Sequence, residues 1–264
     1  MSGEVVLLGH QIGYSASPAM QDAAFAATGL DWRYTLRDVQ PDALSGAVAE
    51  LRGPDRHGAN VTIPHKLAVP ALLDVLEPLA ARLGAVNTIV RDGDKLAGHN
   101  TDMPALAAEL GELLGELLAE REASVTRAIV LGAGGAARAA LSALTDAGVP
   151  DVTLVGRDRW DEMPALLAQA QLLVNATPVG TASDCTPVPA ELLRSDLAVF
   201  DLVYRPSPTR LVRDALGAGA QARGGAGMLL RQAAASFELW TGKPAPVDVM
   251  REALGAELHG SPYA

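Results

Sequence analysis

Ala128-Ile129-Val130-Leu131-Gly132-Ala133-Gly134-Gly135-Ala136-Ala137 is the stretch on which the reading of the fold turns. A short apolar run reads as a buried strand, and the small residues after it open a helix. The first glycine permits a tight turn and the second lets backbone approach a pyrophosphate. Ala137 stands where a third glycine would, at a position of helix–strand packing. Amides at the helix N-terminus then face the phosphates. The alternative is a tight turn of purely structural purpose.

Outward from this stretch, strands and helices alternate. Downstream the pattern predicts strands at 152–155, 172–175 and 198–202, with helices at 163–169, 209–216 and 228–240. Upstream it predicts strands at 5–9, 32–36 and 59–63, helices at 17–28, 42–51 and 66–73, and a hairpin, 86–91 with 95–98, around Asp92-Gly93. Such alternation indicates a parallel sheet covered by helices. Between the regions Thr101-Asp102 caps a helix reaching to about residue 121, with Leu106, Leu110, Leu113, Leu114 and Leu117 as its apolar stripe. The class expected is α/β with two domains. Residues 1–101 are expected to form the first domain, onto which a C-terminal helix within 242–264 packs back. Residues 102–241 form a Rossmann-like nucleotide-binding domain.

Composition excludes several functions. The chain has 264 residues and a formal charge of −10, with no basic stripe, so a nucleic-acid partner is not expected. The single cysteine, Cys185, cannot form an intrachain disulfide. The N-terminus lacks the features of a signal peptide, and no window approaches the ~20 apolar residues that span a bilayer. The histidines, His10, His57, His65, His99 and His259, show no metal-ligand spacing. A cytoplasmic protein without a structural metal or a membrane association is expected, acting on a small molecule as a monomer or homodimer.

The polar chemistry gathers elsewhere. In Asn60-Val61-Thr62-Ile63-Pro64-His65-Lys66 an alternating strand is stopped by Pro64, which has no N–H for the ladder and can open a helix. Amide, hydroxyl and ammonium groups therefore meet at a strand-to-helix corner. Lys66 reads either as a surface lysine or as a site residue. Asp102 reads either as the cap of its helix or as the partner of Lys66, a pair suited to donating a proton to a developing alkoxide. In Val155-Gly156-Arg157-Asp158-Arg159 both arginines favour a 2′-phosphate, as in NADP, whereas Asp158 favours the bare ribose of NAD.

Further stretches complete a pattern that resembles the shikimate dehydrogenase family. They are Tyr14-Ser15-Ala16-Ser17-Pro18, Gly84-Ala85-Val86-Asn87-Thr88, Asn100-Thr101-Asp102 and Asn175-Ala176-Thr177-Pro178-Val179-Gly180. Asp201-Leu202-Val203-Tyr204 and Gly225-Ala226-Gly227-Met228-Leu229-Leu230-Arg231-Gln232 follow in family order. The resemblance covers nearly the whole chain and implies reversible, nicotinamide-dependent reduction of 3-dehydroshikimate to shikimate. It implies that Ser15 and Ser17 bind the substrate carboxylate with Tyr204 near it. Thr62, Lys66, Asn87, Asp102 and Gln232 would hold the ring hydroxyls, with Lys66 as acid/base and Asp102 as its orienting partner. Gly132, Ala133, Gly134, Gly135, Ala136 and Arg157 would hold the cofactor, with Leu202 and Gly225 at the nicotinamide. NADP is the cofactor implied, NAD the alternative.

Two departures from the family pattern carry expectations of their own. Gly156-Arg157-Asp158 replaces the usual Asn-Arg-Thr, so a carboxylate stands where a hydroxyl would assist a 2′-phosphate. Only residues 158–174 separate Arg157 from Asn175, too few for a helix, strand, helix and strand passage. One β-α unit is expected to be missing, shortening the adenine side of the sheet. The rivals are an NAD-dependent quinate/shikimate dehydrogenase and a non-catalytic shikimate-binding paralogue.

Overall fold

A computed structural model describes residues 3–121 and 124–259. The chain divides into two compact units, the first comprising Met1–Asp102 and Leu230–Glu257 and the second formed chiefly by Met103–Leu229.

In the first unit β1 (Gly3–Gly9), α1 (Ser17–Ala27), β2 (Trp32–Asp38), α2 (Leu44–Ala49) and β3 (Arg56–Val61) come in order. They are followed by β4 (Val75–Leu76), α3 (Pro78–Leu83), β5 (Thr88–Asp92) and β6 (Lys95–His99). The sheet runs β2-β1-β3-β5-β6-β4. β1 lies parallel to β2 and β3, while β5 pairs antiparallel with β3 and β6, the latter as a hairpin turned at Gly93 with φ +60°. Val6, Leu8, Val61, Ile89 and Leu96 supply the core of this sheet with Val48 and Leu51. Gly58 is required where β3 meets β5, since a Cβ there would sit 2.2 Å from the carbonyl oxygen of Ile89.

The helix expected at 66–73 is not an α-helix. Two short 3₁₀ turns, His65–Leu67 and Val69–Leu72, take its place. Pro70 has no N–H for an α-helical ladder, and the tighter bonding of short 3₁₀ turns carries the chain past it. β4 and α3 lie outside the elements that the sequence pattern predicts, and β3 starts earlier and stops sooner than its alternation suggests.

The second unit begins within α4 (Asp102–Arg121), whose Leu106, Leu110, Leu113 and Leu117 are buried. β7 (Arg127–Leu131), α5 (Gly135–Asp146), β8 (Asp151–Val155), α6 (Met163–Leu167) and β9 (Leu172–Asn175) follow. Then come β10 (Ala198–Asp201), α7 (Arg210–Gly217), β11 (Ala222–Gly224), α8 (Ala226–Thr241) and α9 (Val247–His259). The parallel sheet runs β11-β10-β9-β7-β8, so β8 is an edge strand. Between β8 and β9 the chain forms only the 3₁₀ segment Arg157–Glu162 and α6, the shortening that the residue count predicts.

The boundary expected at residue 241 needs correction. α8 from Leu230 onward belongs to the first unit, as does α9 through Glu257. Phe237 packs on Phe25 with ring centroids 5.7 Å apart, Trp240 Nε1 donates to the Ile89 carbonyl, and Gln21 Nε2 donates to the Ala233 carbonyl. Aromatic burial on this scale outweighs the position of the helix in the sequence. Of the segment 242–264 assigned to the first unit, residues 260–264 lie outside the described residues. No helix among the described residues is long and apolar enough to cross a membrane.

Candidate active site

Lys66 is placed by the turn that follows β3. The His65 N–H bonds to the Thr62 carbonyl, and the buried His65 ring is hydrogen-bonded through Nε2 to the Val39 carbonyl, 2.8 Å away. The Lys66 carbonyl accepts from the Val86 N–H. With its backbone held from both sides, Lys66 directs Nζ to Asp102 Oδ2 at 2.7 Å. Side-chain exposures of 34% and 19% leave the pair shielded yet reachable from solvent.

Asp102 opens α4, and the residue before it is clamped. Asn87 Oδ1 accepts the Thr101 N–H at 2.8 Å, while Asn87 Nδ2 donates to Thr101 Oγ1 at 2.9 Å and reaches Gln232 Oε1 at 3.5 Å. One carboxamide thus joins the end of β6, the start of α4 and α8. Behind it Ser236 Oγ donates to the Gln232 carbonyl and contacts Thr88 Oγ1, Thr101 Oγ1 and Asn60 Nδ2. Tyr34 in turn donates to Asn60 Oδ1. Buried networks satisfied in this way hold their members rigidly. Ser236 is absent from the residues that the sequence singles out, and Thr101 enters there only as a cap beside Asp102 and not as part of a buried network. Ser236 follows Gln232 by one helical turn, the only sequence signal it offers.

Ser15 and Ser17 stand at the start of α1. The Ser17 N–H donates to Ser15 Oγ at 3.3 Å, and no side chain caps the helix. The loop carrying them is tied to the lysine turn, because the His10 N–H bonds to the Ile63 carbonyl. Gly9 allows this approach, since a Cβ there would lie 2.5 Å from a Thr62 methyl. Ser15, Ser17, Thr62, Lys66, Asn87, Asp102 and Gln232 all belong to the first unit. Burial pushes the neighbouring His99 imidazole below its ordinary pKa, with the Glu77 carboxylate opposing.

The second unit holds the remaining candidates. Gly132 ends β7 with φ +119°, and a Cβ on it would approach the Ala176 carbonyl oxygen to 3.1 Å. Gly134 and Gly135 have no heavy atom within 4 Å of where a Cβ would stand, and α5 lacks a side-chain cap. Bare helix-terminal amides beside open space fit a pyrophosphate. Leu202 and Gly225 touch, for a Cβ on Gly225 would fall 2.2 Å from the Leu202 carbonyl oxygen. Tyr204 follows in this same unit. Arg157 and Asp158 are exposed at the end of β8, whereas Arg159 is committed to Glu162 and the Leu154 carbonyl.

A buried acid organises the loops after β9 and β10. Asp201 accepts from Asn175 Nδ2, Thr209 Oγ1 and the Val203 N–H at 2.7–3.0 Å. Burial raises its pKa although these three bonds act to lower it. Asn175 Oδ1 accepts both donors of Thr177. Among the described residues no group of three or more histidines, cysteines or acids could hold a metal ion.

Known proteins resemble this chain over nearly its whole length. Residues 7–89 match the family model described as the shikimate dehydrogenase substrate binding domain, and residues 225–254 match the shikimate 5′-dehydrogenase C-terminal domain. The shikimate dehydrogenase (NADP(+)) of Symbiobacterium thermophilum is 43% identical, over 97% of this chain and 95% of its own length. The Thermus thermophilus shikimate 5-dehydrogenase, solved with NADP(H) and shikimate, superposes with a TM-score of 0.80 at 38% identity, covering 97% of this chain and all of that one. The quinate dehydrogenase of Corynebacterium glutamicum, solved with NAD, gives 0.82 at 30% identity, covering 97% and 99%.

Proposed function

The chain belongs to the shikimate dehydrogenase family, and on that premise we propose that it interconverts 3-dehydroshikimate and shikimate with a nicotinamide dinucleotide. The observation that carries this reading is the 2.7 Å contact between Lys66 Nζ and Asp102 Oδ2 beside the Asn87 clamp.

During reduction the carbonyl oxygen gathers negative charge, and a positioned ammonium both stabilises it and donates the proton. Lys66 takes that part. Asp102 fixes the direction of Nζ, and in the oxidative direction the neutral amine receives the hydroxyl proton. Because Lys66 is partly exposed, it exchanges its proton with solvent between turnovers. Asn87, Gln232 and Thr62 present amide and hydroxyl groups to the ring hydroxyls. Ser15 and Ser17, at the N-terminus of α1, favour a carboxylate through hydroxyl donors and the helix dipole.

The nicotinamide supplies or accepts the hydride when bound. Residues 132–136, Arg157, Leu202 and Gly225 would hold it.

The paired serines favour shikimate over quinate, whose additional ring hydroxyl is harder to admit beside two hydroxyls. Measuring kcat/KM for shikimate and quinate tests this, with calorimetry of each ligand alongside. A higher value for shikimate supports the proposal. A preference for quinate would reassign the substrate, and shikimate binding without nicotinamide binding would make the chain a non-catalytic binder.

A further inference from the structure

β2 ends at Asp38, which stands beside Gly9 in the parallel ladder with β1. The chain that leaves β1 at Gly9 enters α1 only at Ser17, and the loop between them carries Ser15. Asp38 reaches across the end of β1 to the start of this loop. His10 Nδ1 donates to Asp38 Oδ1 at 2.7 Å, and the Gln11 N–H donates to Asp38 Oδ2 at 3.2 Å. The Val39 N–H adds a bond to the Gly9 carbonyl at 2.7 Å. His10 chiefly, with the Gln11 N–H, holds the Asp38 carboxyl below its ordinary pKa, so the group is an ionised acceptor at neutral pH.

Gln11 is held in a backbone conformation that its side chain disfavours. Its φ is +57°, in the left-handed region where a Cβ crowds the following carbonyl oxygen. Among the described residues other than glycine, only Ala182 shares a positive φ. Such a conformation persists where its surroundings over-determine it. Here the His10 N–H is fixed on the Ile63 carbonyl, and Ile12 is buried where it would meet a Cβ on Gly9 at 2.5 Å. Asp38 takes the Gln11 N–H between them. Beyond Ile12 the loop turns, with the Ser15 N–H donating to the Ile12 carbonyl at 3.0 Å. The bend at Gln11 therefore sets the direction in which the loop travels to Ser15, and His10 ties the same bend to the turn that carries Lys66.

We propose that Asp38 is a positioning residue for the substrate carboxylate: it clamps His10 and Gln11 and so fixes where the loop presents Ser15 relative to Lys66. Asp38 touches no substrate itself. It acts by holding Gln11 in the left-handed bend, and without it the bend loses one of the contacts that offset its cost. The inference rests on the proposed carboxylate site at Ser15 and Ser17, and goes beyond it by naming what sets the place of those hydroxyls.

Calorimetry with shikimate and with its methyl ester, which keeps the ring and lacks the anion, reads the carboxylate site without turnover. The wild type should bind shikimate more tightly than the ester. Asp38→Ala should weaken shikimate by about three- to tenfold, as loss of a partly exposed charged acceptor implies. Ester affinity and kcat should stay within about twofold, so that the variant raises KM alone. Asp38→Asn, which keeps an acceptor for the Gln11 N–H, should lose less. Adding Gln11→Gly to Asp38→Ala should recover most of the lost affinity, because glycine adopts the left-handed bend without steric cost. Unchanged shikimate affinity in Asp38→Ala, or equal weakening of shikimate and ester, overturns the role of Asp38 and leaves the serine site standing. A wild type that binds shikimate no better than the ester overturns both.

Discussion

Replacing Lys66 by methionine keeps an unbranched apolar stem and removes only the ammonium. Two consequences of very different size follow from the geometry. Lys66 Nζ is 2.7 Å from Asp102, and the side chains are 34% and 19% exposed. A partly solvated pair of this kind contributes about 0–1 kcal/mol to stability after screening. In a chain of this size that moves Tm by no more than about 4 °C. General acid–base catalysis, in contrast, contributes typically ~10²–10⁴ in rate. Lys66→Met should therefore lower kcat by roughly 10²–10⁴, or about 3–5 kcal/mol of activation free energy. Shikimate affinity should change much less, since Ser15, Ser17, Thr62, Asn87 and Gln232 remain. Steady-state kinetics, shikimate calorimetry and a thermal melt on the same preparation separate these effects. A variant with near wild-type kcat would refute Lys66 as the proton donor. A variant that loses turnover only because it has unfolded would refute the claim that the pair is functional rather than structural.

Other outcomes follow from the same structure. Ser236→Ala removes the hydroxyl shared by Thr88, Thr101, Asn60 and the Gln232 carbonyl. It should cost about 1–3 kcal/mol in urea unfolding and raise KM for shikimate, and an unchanged KM would detach this network from the site. Gly58→Ala forces a methyl to within 2.2 Å of the Ile89 oxygen and 2.7 Å of Trp240 Nε1, and should destabilise by about 1–3 kcal/mol or more. A variant melting like the wild type would show that β3 and β5 separate freely there. Burial and the nearby Arg91 cation push the His57 imidazole below the ordinary value of 6.5, where it stacks on Trp32 at 3.7 Å. Its folded pKa lies below the unfolded one, so its contribution to stability is full above about 6.5 and is lost as pH falls through the folded value. Melts across that window should show falling Tm on acidification, with a shallower slope in His57→Phe; equal slopes would clear His57 as a cause.

What the sequence could reveal depended on how local each signal was. The β7–glycine–α5 passage was readable because a strand, a turn and a helix each leave their mark within ten neighbouring residues. The shortened adenine side was readable by length alone, since residues 158–174 cannot contain another strand and helix. The 3₁₀ turns after Pro64 looked helical because Lys66 to Leu73 has helical composition, and a single later residue, Pro70, decides the matter. β4, at two residues, carries no period to detect. The allegiance of α8 depends on partners remote in sequence, Phe25, Ile89 and Gln21, which no pattern within the helix announces. The same is true of the site. Lys66 and Asp102 could each be singled out by type and position, but the contact between them arises from the clamp of Asn87 on Thr101. The polar residues of that clamp, taken singly, are indistinguishable from ordinary caps and turn residues.

Everything proposed for the site depends on this chain reducing a ketone on a shikimate-type ring. The direct test adds 3-dehydroshikimate to purified protein with NADPH or NADH, follows nicotinamide oxidation, and identifies the product. Stoichiometric formation of shikimate is expected with at least one of the two cofactors. Binding of 3-dehydroshikimate without oxidation of either nicotinamide would contradict it.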